Sequence, residues 1–160
     1  MIASKVVHVR PATQADAPEL EAILRDTFES TWKPQIRPEV AQVHISENRP
    51  ATFVAEQGLL FWVAEREGEV VGLVHWVSDF INALHVPSNH ARTGVGARLM
   101  DVAEAKIAEA GFTAVRLETD TFNVASQAFY LGRGYHEAGR YPDEEWDSGL
   151  TTILYVKAIT

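Results

Sequence analysis

Two glycines stand where an apolar, strand-like run gives way to a predicted helix. The stretch HARTGVGARLM runs from His90 to Met100 and contains Gly94 and Gly96. A helix N-terminus presents unpaired N–H groups and a partial positive charge, so it attracts phosphate oxygens. Glycines lack a Cβ atom and let the backbone approach such a group, and Arg92 and Arg98 flank the turn. Taken alone, the pattern predicts either a phosphate-binding turn or a plain strand-to-helix connection.

Several other chemistries are disfavoured by residue type and spacing. The dinucleotide-binding fingerprint needs a third glycine where this chain has Leu99, and no Gly-Lys-Ser/Thr of a P-loop follows. The chain has no cysteine, which excludes disulfides, thiolate metal sites and a cysteine nucleophile. Its six histidines are scattered, and no two have the spacing of a helical zinc site. We therefore expect no metal.

The composition is that of an ordinary globular protein. The 160 residues are 46% apolar and 22% charged, which suits one domain over residues 1–160 with its own core. No apolar stretch is long enough to span a membrane, and the start lacks a secretory signal, so a cytoplasmic location is expected. A net charge of −8 without a Lys/Arg cluster disfavours nucleic acid and favours a cationic small substrate.

The first half of the chain predicts one strand, two helices and three further strands. KVVHVRPA predicts the first strand, and apolar spacing predicts helices over Ala17–Phe28 and about Glu39–Glu47. The segment NRPATFVAEQ is interpreted as irregular. LLFWVAEREGEVVGLVHWV predicts two strands joined by a hairpin turn at Glu67-Gly68, and FINALHV predicts a third. Gly72, within the second of these, indicates a bulge or a close backbone approach.

The second half of the chain predicts two helices that alternate with strands. Apolar residues from Val95 to Ile107 mark one face of a helix, and Gly111 sits where its cap belongs. FTAVRLETD predicts a strand, NVASQAFYLGRGY a short helix, and HEAGRY and TTILYVKAI two final strands. The order β-α-α-β-β-β-α-β-α-β-β indicates a mixed α/β domain.

The segment from Asn123 to Tyr135 pairs with the upstream glycine loop. Together they resemble the GNAT superfamily of acyl-coenzyme A N-acetyltransferases. That family pairs a Gln/Arg-x-x-Gly-x-Gly/Ala loop with a later Asn-x-x-Ala-x-x-Phe-Tyr-x-x-x-Gly-Phe. This chain departs at Ala91, where Gln or Arg is usual, at Arg92, where Gly is common, and at Ser126, which replaces Ala. The resemblance implies a mixed, mostly antiparallel sheet of six to seven strands with about four helices, and a coenzyme A cleft between splayed strands.

The resemblance also implies where acetyl-coenzyme A, the co-substrate, would bind. Its pyrophosphate would sit on backbone N–H groups of the turn, namely those of Arg92, Thr93, Gly94, Val95, Gly96 and Ala97. The pantetheine amides would pair with the backbone of Leu84, His85 and Val86 like an added strand. The second motif would border the pantetheine arm and the thiol through Asn123, Ser126, Phe129 and Tyr130.

Tyr130 is assigned to the departing thiolate by its match to the family motif. A phenol with a pKa of about 10 is a weaker acid than a thiol at about 8.5, so Tyr130 is expected mainly to hydrogen-bond the thiolate. The positions where family members often place a base hold Phe80 and Asn82. Asp79 and Glu118 are the substitutes nearby, each acting through a water relay.

The acceptor is expected to be a primary amine of a small molecule or a peptide. Trp32, Asn82 and Trp146 are the predicted substrate contacts, and His85 is interpreted as a packing or surface side chain. A homodimer is a further expectation. Two other functions stay open at this stage: a non-catalytic coenzyme A-binding module on the same fold, and a nucleotide-binding domain around Gly94.

Overall fold

A computed structural model describes residues 6–143 and 149–159 of the chain. Seven strands form one sheet in the order β1-β2-β3-β4-β5-β7-β6. The strands are β1 (His8–Pro11), β2 (Trp62–Arg66), β3 (Glu69–Val77), β4 (Phe80–His85), β5 (Ala114–Asp120), β6 (His136–Pro142) and β7 (Thr151–Ala158). All neighbouring pairs are antiparallel except β4 and β5, which run parallel. This confirms the predicted mixed, mostly antiparallel sheet.

Five α-helices accompany the sheet. They are α1 (Ala17–Thr27), α2 (Pro38–Glu47), α3 (Arg49–Gln57), α4 (Val95–Glu109) and α5 (Val124–Gly132). One buried cluster packs α4 and α5 against one face of the sheet, and a second packs α1 and α3 against the other. No helix within the described residues is long and apolar enough to cross a membrane.

The helix α3 corrects the interpretation of NRPATFVAEQ as irregular. Pro50 lies in the first turn of α3, where a missing backbone N–H costs nothing because that group has no partner within the helix. Asn48 takes a left-handed conformation, with φ of 49°, and links α2 directly to α3. Val54 is buried, so tertiary packing stabilises this helix.

The hairpin and the close approach predicted around β3 are both present. Glu67 and Gly68 have φ of 53° and 79°, the left-handed pair that a tight two-residue hairpin requires. A Cβ atom on Gly72 would lie 2.8 Å from Val95 Cγ1 and 3.0 Å from Leu99 Cδ1. Only glycine therefore lets the first turn of α4 pack this closely on the sheet.

The parallel strands β4 and β5 separate soon after they meet. Only Phe80 pairs with Arg116 and Ile81 with Leu117, whereas the other edge of β4 pairs with β3 as far as His85. Asn82 is an extra residue between Ile81 and Ala83 in the β3–β4 ladder, which forms a bulge. A cleft opens between β4 and β5 beyond these two pairs.

Candidate active site

The cleft at the splayed strands has a volume of about 1180 Å³. Its walls come from β4 and β5, from α5, and from the segment that joins α1 to α2. Of the residues predicted for the site, it is lined by Trp32, Asn82, Leu84, His85, Glu118, Asn123, Ser126 and Tyr130. The structure therefore brings together side chains that are as much as 98 residues apart in the sequence, from Trp32 to Tyr130.

The glycine turn gives α4 an open N-terminus. Gly94 is the N-cap residue with φ of 86°, it offers no side chain to the first-turn N–H groups, and no acidic residue lies in that turn. The exposed Arg92 also has a left-handed φ of 61°, at the position where the family pattern commonly has glycine. The Thr93 hydroxyl donates to the His90 carbonyl oxygen at 2.5 Å, which braces the turn. These features suit an anion at the helix end.

The two motifs recognised in the sequence lie close together at Gly96. A Cβ atom on Gly96 would lie 3.5 Å from the Phe129 ring and 3.9 Å from Val86 Cγ2. The Arg133 guanidinium lies 5.9 Å from the centre of the same Phe129 ring. Phe129 thus packs α5 against the start of α4, so its contacts here are with protein.

The edge of β4 that faces β5 is free of ladder bonds beyond Ile81. The strand register leaves the backbone of Leu84 and His85 without a partner in β5, and Val86 follows directly. This open edge leads from the bulge at Asn82 towards the N-terminus of α4. An extended chain with amide groups could pair with it as an added strand.

Asn123 and Ser126 hold the start of α5. Asn123 is the N-cap residue, and its Oδ1 accepts a hydrogen bond from the Ser126 N–H at 3.1 Å. The Ser126 hydroxyl lies 2.8 Å from the Thr119 hydroxyl on β5. Both side chains line the cleft, but each already bonds within the protein.

Tyr130 forms a wall of the cleft from within the core. It is 7% exposed and packs edge-on against Phe129 and Tyr135. Burial raises the pKa of Tyr130 far above that of a free phenol. Its hydroxyl therefore stays protonated at physiological pH and is available to donate a hydrogen bond.

The two carboxylates predicted as bases lie in different surroundings. Asp79 accepts two hydrogen bonds from Arg116, at 2.9 and 3.1 Å, and this partner lowers the pKa of Asp79. Asp79 does not line the cleft. Glu118 does line it and accepts a hydrogen bond from the Tyr141 hydroxyl.

Asp120 is a site residue that sequence reasoning missed. It lies on the same face of β5 as Glu118, and its Oδ2 accepts a hydrogen bond from Trp32 Nε1 at 2.7 Å. Burial raises the pKa of Asp120, the bond from Trp32 opposes this, and the nearby Asp143 and Glu118 add to the rise. Asp120 follows Glu118 by two positions, and residues two apart on a strand share a face, so this spacing could have identified Asp120.

Trp32 lines the cleft and contacts residues of both splayed strands. A π-helical turn over Phe28–Trp32 extends α1 and carries Trp32 to Asp120 on β5. The same indole lies edge-on to the His85 ring on β4, with 5.7 Å between ring centres. Burial lowers the pKa of His85 to about 4, so the ring is neutral at physiological pH. His85 was interpreted as a packing or surface residue, and the structure shows that it also lines the cleft.

The remaining predicted substrate contacts differ in outcome. The Asn82 amide lies 3.3 Å from His75 Nδ1 inside the cleft. Trp146 lies outside the described residues. Within residues 6–143 and 149–159, no three His, Asp or Glu side chains are grouped as a metal site.

Comparison with known proteins decides the family. The model of the Acetyltransferase (GNAT) family matches residues 17–135 of this chain. The chain belongs to the GNAT acetyltransferase family. This agrees with the glycine turn on α4 and the Asn123–Tyr135 segment, both of which lie within the matched range.

Individual GNAT relatives cover the chain to different extents. Human N-acetyltransferase 8 is 30% identical over 56% of this chain, which spans only 44% of that protein. The Blasticidin-S acetyltransferase of Streptomyces morookaense is 32% identical over 59% of the chain and 68% of its own length.

Solved GNAT structures match nearly the whole chain. A GCN5-related N-acetyltransferase from Rhodopseudomonas palustris superposes with a TM-score of 0.80 at 21% identity, covering 99% of this chain and 98% of its own. The PaiA N-acetyltransferase of Thermoplasma acidophilum, solved with coenzyme A, gives 0.74 at 16% identity and covers 96% and 99%. At these identities the likeness concerns the fold.

Proposed function

We propose that this protein is an N-acetyltransferase that moves an acetyl group from acetyl-coenzyme A to a primary amine by direct attack in a ternary complex. The single observation that carries the proposal is the arrangement in which the open edge of β4 has the N-terminus of α4 beside its end and the cleft with Tyr130 along its length. Membership of the GNAT family supports it.

This arrangement suits acetyl-coenzyme A in charge and in the backbone groups that it offers. The N–H groups from Arg92 to Ala97 would receive the pyrophosphate, because a helix N-terminus without acidic residues attracts anions. The backbone of Leu84, His85 and Val86 would pair with the pantetheine amides. The thioester would then reach the splay, near Tyr130.

The chemistry requires a neutral amine and a stabilised leaving group. The amine nitrogen bonds to the thioester carbonyl carbon, the carbon–sulfur bond breaks, and the amine loses one proton. Tyr130 would donate a hydrogen bond to the departing thiolate. Because burial raises the pKa of Tyr130, full proton transfer to sulfur is unfavourable, and the hydrogen bond is the proposed role.

The proton of the amine would pass to a carboxylate on β5, directly or through water. Glu118 and Asp120 both line the cleft, and burial raises the pKa of Asp120, which increases its strength as a base. Asp79 is a poor choice because Arg116 already occupies both of its oxygens and lowers its pKa.

The acceptor would be a small-molecule or peptide amine that enters from the side of Trp32. Carboxylates at this side, Glu118 and Asp120 among them, favour the approach of a cationic amine. The half-buried indole of Trp32 offers it an apolar surface.

The test has two parts. Saturating acetyl-coenzyme A should raise the melting temperature, because a ligand that binds only the native state stabilises it. Thiol release from acetyl-coenzyme A should then depend on an added primary amine across a broad panel. If coenzyme A and acetyl-coenzyme A both leave the melting temperature unchanged, the proposal is wrong.

One observation favours a second function. The positions on β4 where family members often carry a base are Phe80 and Asn82, and neither titrates. A non-catalytic coenzyme A-binding module on the same fold would account for this. Thermal stabilisation by coenzyme A without thiol release for any amine would support that function and contradict the enzyme.

A further inference from the structure

His75 is a buried imidazole that the proposed reaction does not use. It lies on β3, is 2% exposed, and lines the cleft. Its Nε2 atom has no hydrogen-bond partner among the described residues. A buried polar atom without a partner costs about 1–3 kcal/mol, so such atoms in native proteins call for an explanation.

The other ring nitrogen of His75 is held by the bulge on β4. The Asn82 amide nitrogen lies 3.3 Å from Nδ1 and donates to it in this orientation. Burial lowers the pKa of His75, so the ring is neutral. A neutral imidazole that accepts at Nδ1 carries its proton on Nε2, which makes Nε2 a donor directed by Asn82.

The surroundings of His75 are aromatic. The ring of Phe53 stands edge-on to the imidazole, with 5.4 Å between centres, and Phe61 lies at 5.0 Å. Phe28, in the turn that extends α1, also lines the cleft. An N–H donor among phenyl rings suits a neutral oxygen on an apolar body, and it does not suit an ammonium group.

Charged residues line the cleft on two sides: Glu47, Arg49 and Glu56 lie on α2 and α3, and two carboxylates lie on β5. The carboxylates of Glu118 and Asp120 are on β5, whereas His75 is on β3, with β4 between the two strands. A single acceptor molecule can therefore place its amine near β5 and its uncharged end near β3. A ligand that fills the cleft would therefore need an amine at the end near β5 and an uncharged group at the end near β3.

We propose that His75 Nε2 donates a hydrogen bond to the acceptor molecule, which is a primary amine whose aromatic or apolar body carries a neutral oxygen such as a hydroxyl. This inference rests on the proposed function for the reaction itself. It adds a specificity-determining residue, with Asn82 as the residue that orients it. A site that hydrogen-bonds a substrate oxygen discriminates against the analogue that lacks it.

The test uses tyramine and phenethylamine, which differ by one ring hydroxyl. The His75 Nε2 resonance is followed by ¹H–¹⁵N NMR in histidine-labelled protein, with and without coenzyme A. We expect tyramine to shift this resonance and to bind at least about tenfold more tightly than phenethylamine. His75→Phe, which keeps an aromatic ring but has no donor, should remove that preference without abolishing phenethylamine binding.

His75→Gln is the matched variant because its amide N–H can occupy nearly the place of Nε2. It should retain part of the preference for tyramine that His75→Phe loses. An equal preference in the wild type and in His75→Phe would overturn the proposal, as would an Nε2 resonance that neither amine moves. Failure of coenzyme A to stabilise the protein would instead contradict the proposed reaction. The two outcomes can be distinguished because the amine titration without coenzyme A does not require coenzyme A binding.

Discussion

Trp32 and Asp120 meet across the opening between the splayed strands. The indole Nε1 donates to the Asp120 carboxylate at 2.7 Å, while the same indole lies edge-on to His85 on the opposite strand. The bond leaves the second Asp120 oxygen without a hydrogen bond from any described side chain. The Asp120 backbone is also restrained, since its carbonyl accepts from Gln127 Nε2 at 3.2 Å. A carboxylate held in this way is suited to receive an amine proton.

Asp120→Asn should lower kcat/KM about 100-fold or more, because it removes a proton acceptor and keeps the side-chain shape. A base must be deprotonated to act, so the wild-type rate should fall as the pH drops through the pKa of Asp120. Burial raises that pKa above its ordinary value, which moves the acid limb to higher pH. The measurement is the pH profile of kcat/KM.

Glu118→Gln is the matched control for Asp120→Asn, because Glu118 lies on the same face of β5 but is exposed. It should have a smaller effect and leave the acid limb in place. A profile that loses its acid limb in Glu118→Gln and keeps it in Asp120→Asn would assign the base to Glu118 instead.

Tyr130→Phe should reduce kcat by about 10- to 100-fold, because a hydrogen bond to a charged group contributes about 1.5–3 kcal/mol. The hydroxyl has no hydrogen bond to a described side chain, so its removal should change the melting temperature little. The affinity for coenzyme A, measured by calorimetry, should be nearly unchanged. A loss of coenzyme A affinity equal to the loss of rate would show that Tyr130 acts in binding and not in thiolate release.

Arg92 combines a positive charge with a left-handed backbone, and two variants separate these properties. Arg92→Ala should weaken coenzyme A binding about tenfold, because a charge-assisted bond to phosphate is lost. Arg92→Gly loses the same charge but relieves the strain of φ at 61°, so it should be more stable than Arg92→Ala.

Calorimetry with coenzyme A and thermal unfolding distinguish the two effects of Arg92. Equal affinity of the wild type and both variants would show that the backbone amides of the turn suffice. A stability difference between Ala and Gly without any difference in their affinity is the expected result.

Gly72→Ala should destabilise the fold by about 1–3 kcal/mol, because the added methyl would overlap Val95 and Leu99 at the start of α4. It should also weaken coenzyme A binding by shifting the helix N-terminus. Gly139→Ala on β6 is the control, since a Cβ there meets nothing within 4 Å. Chemical denaturation measures both, and similar losses in the two variants would contradict the packing argument.

Much of the site could be predicted from local patterns. The glycine turn, the hairpin at Glu67-Gly68 and the close approach at Gly72 all follow from conformations that few residues tolerate. The family motif from Asn123 to Tyr135 located α5 and Tyr130. The helix α3 was not predicted, because it is short and burial of its apolar face against the sheet stabilises it.

The sequence by itself determined the family and the order of all the strands and α-helices except α3, since both depend on periodicity and on short motifs read along the chain. The tertiary structure alone decided which polar groups share the cleft. Trp32 donates to Asp120, which is 88 residues away in the sequence, and Asn82 bonds to His75 from a bulge. Arg116 bonds to Asp79, which does not line the cleft. Such pairings depend on strand order, on register and on where β4 leaves β5, which no local pattern encodes.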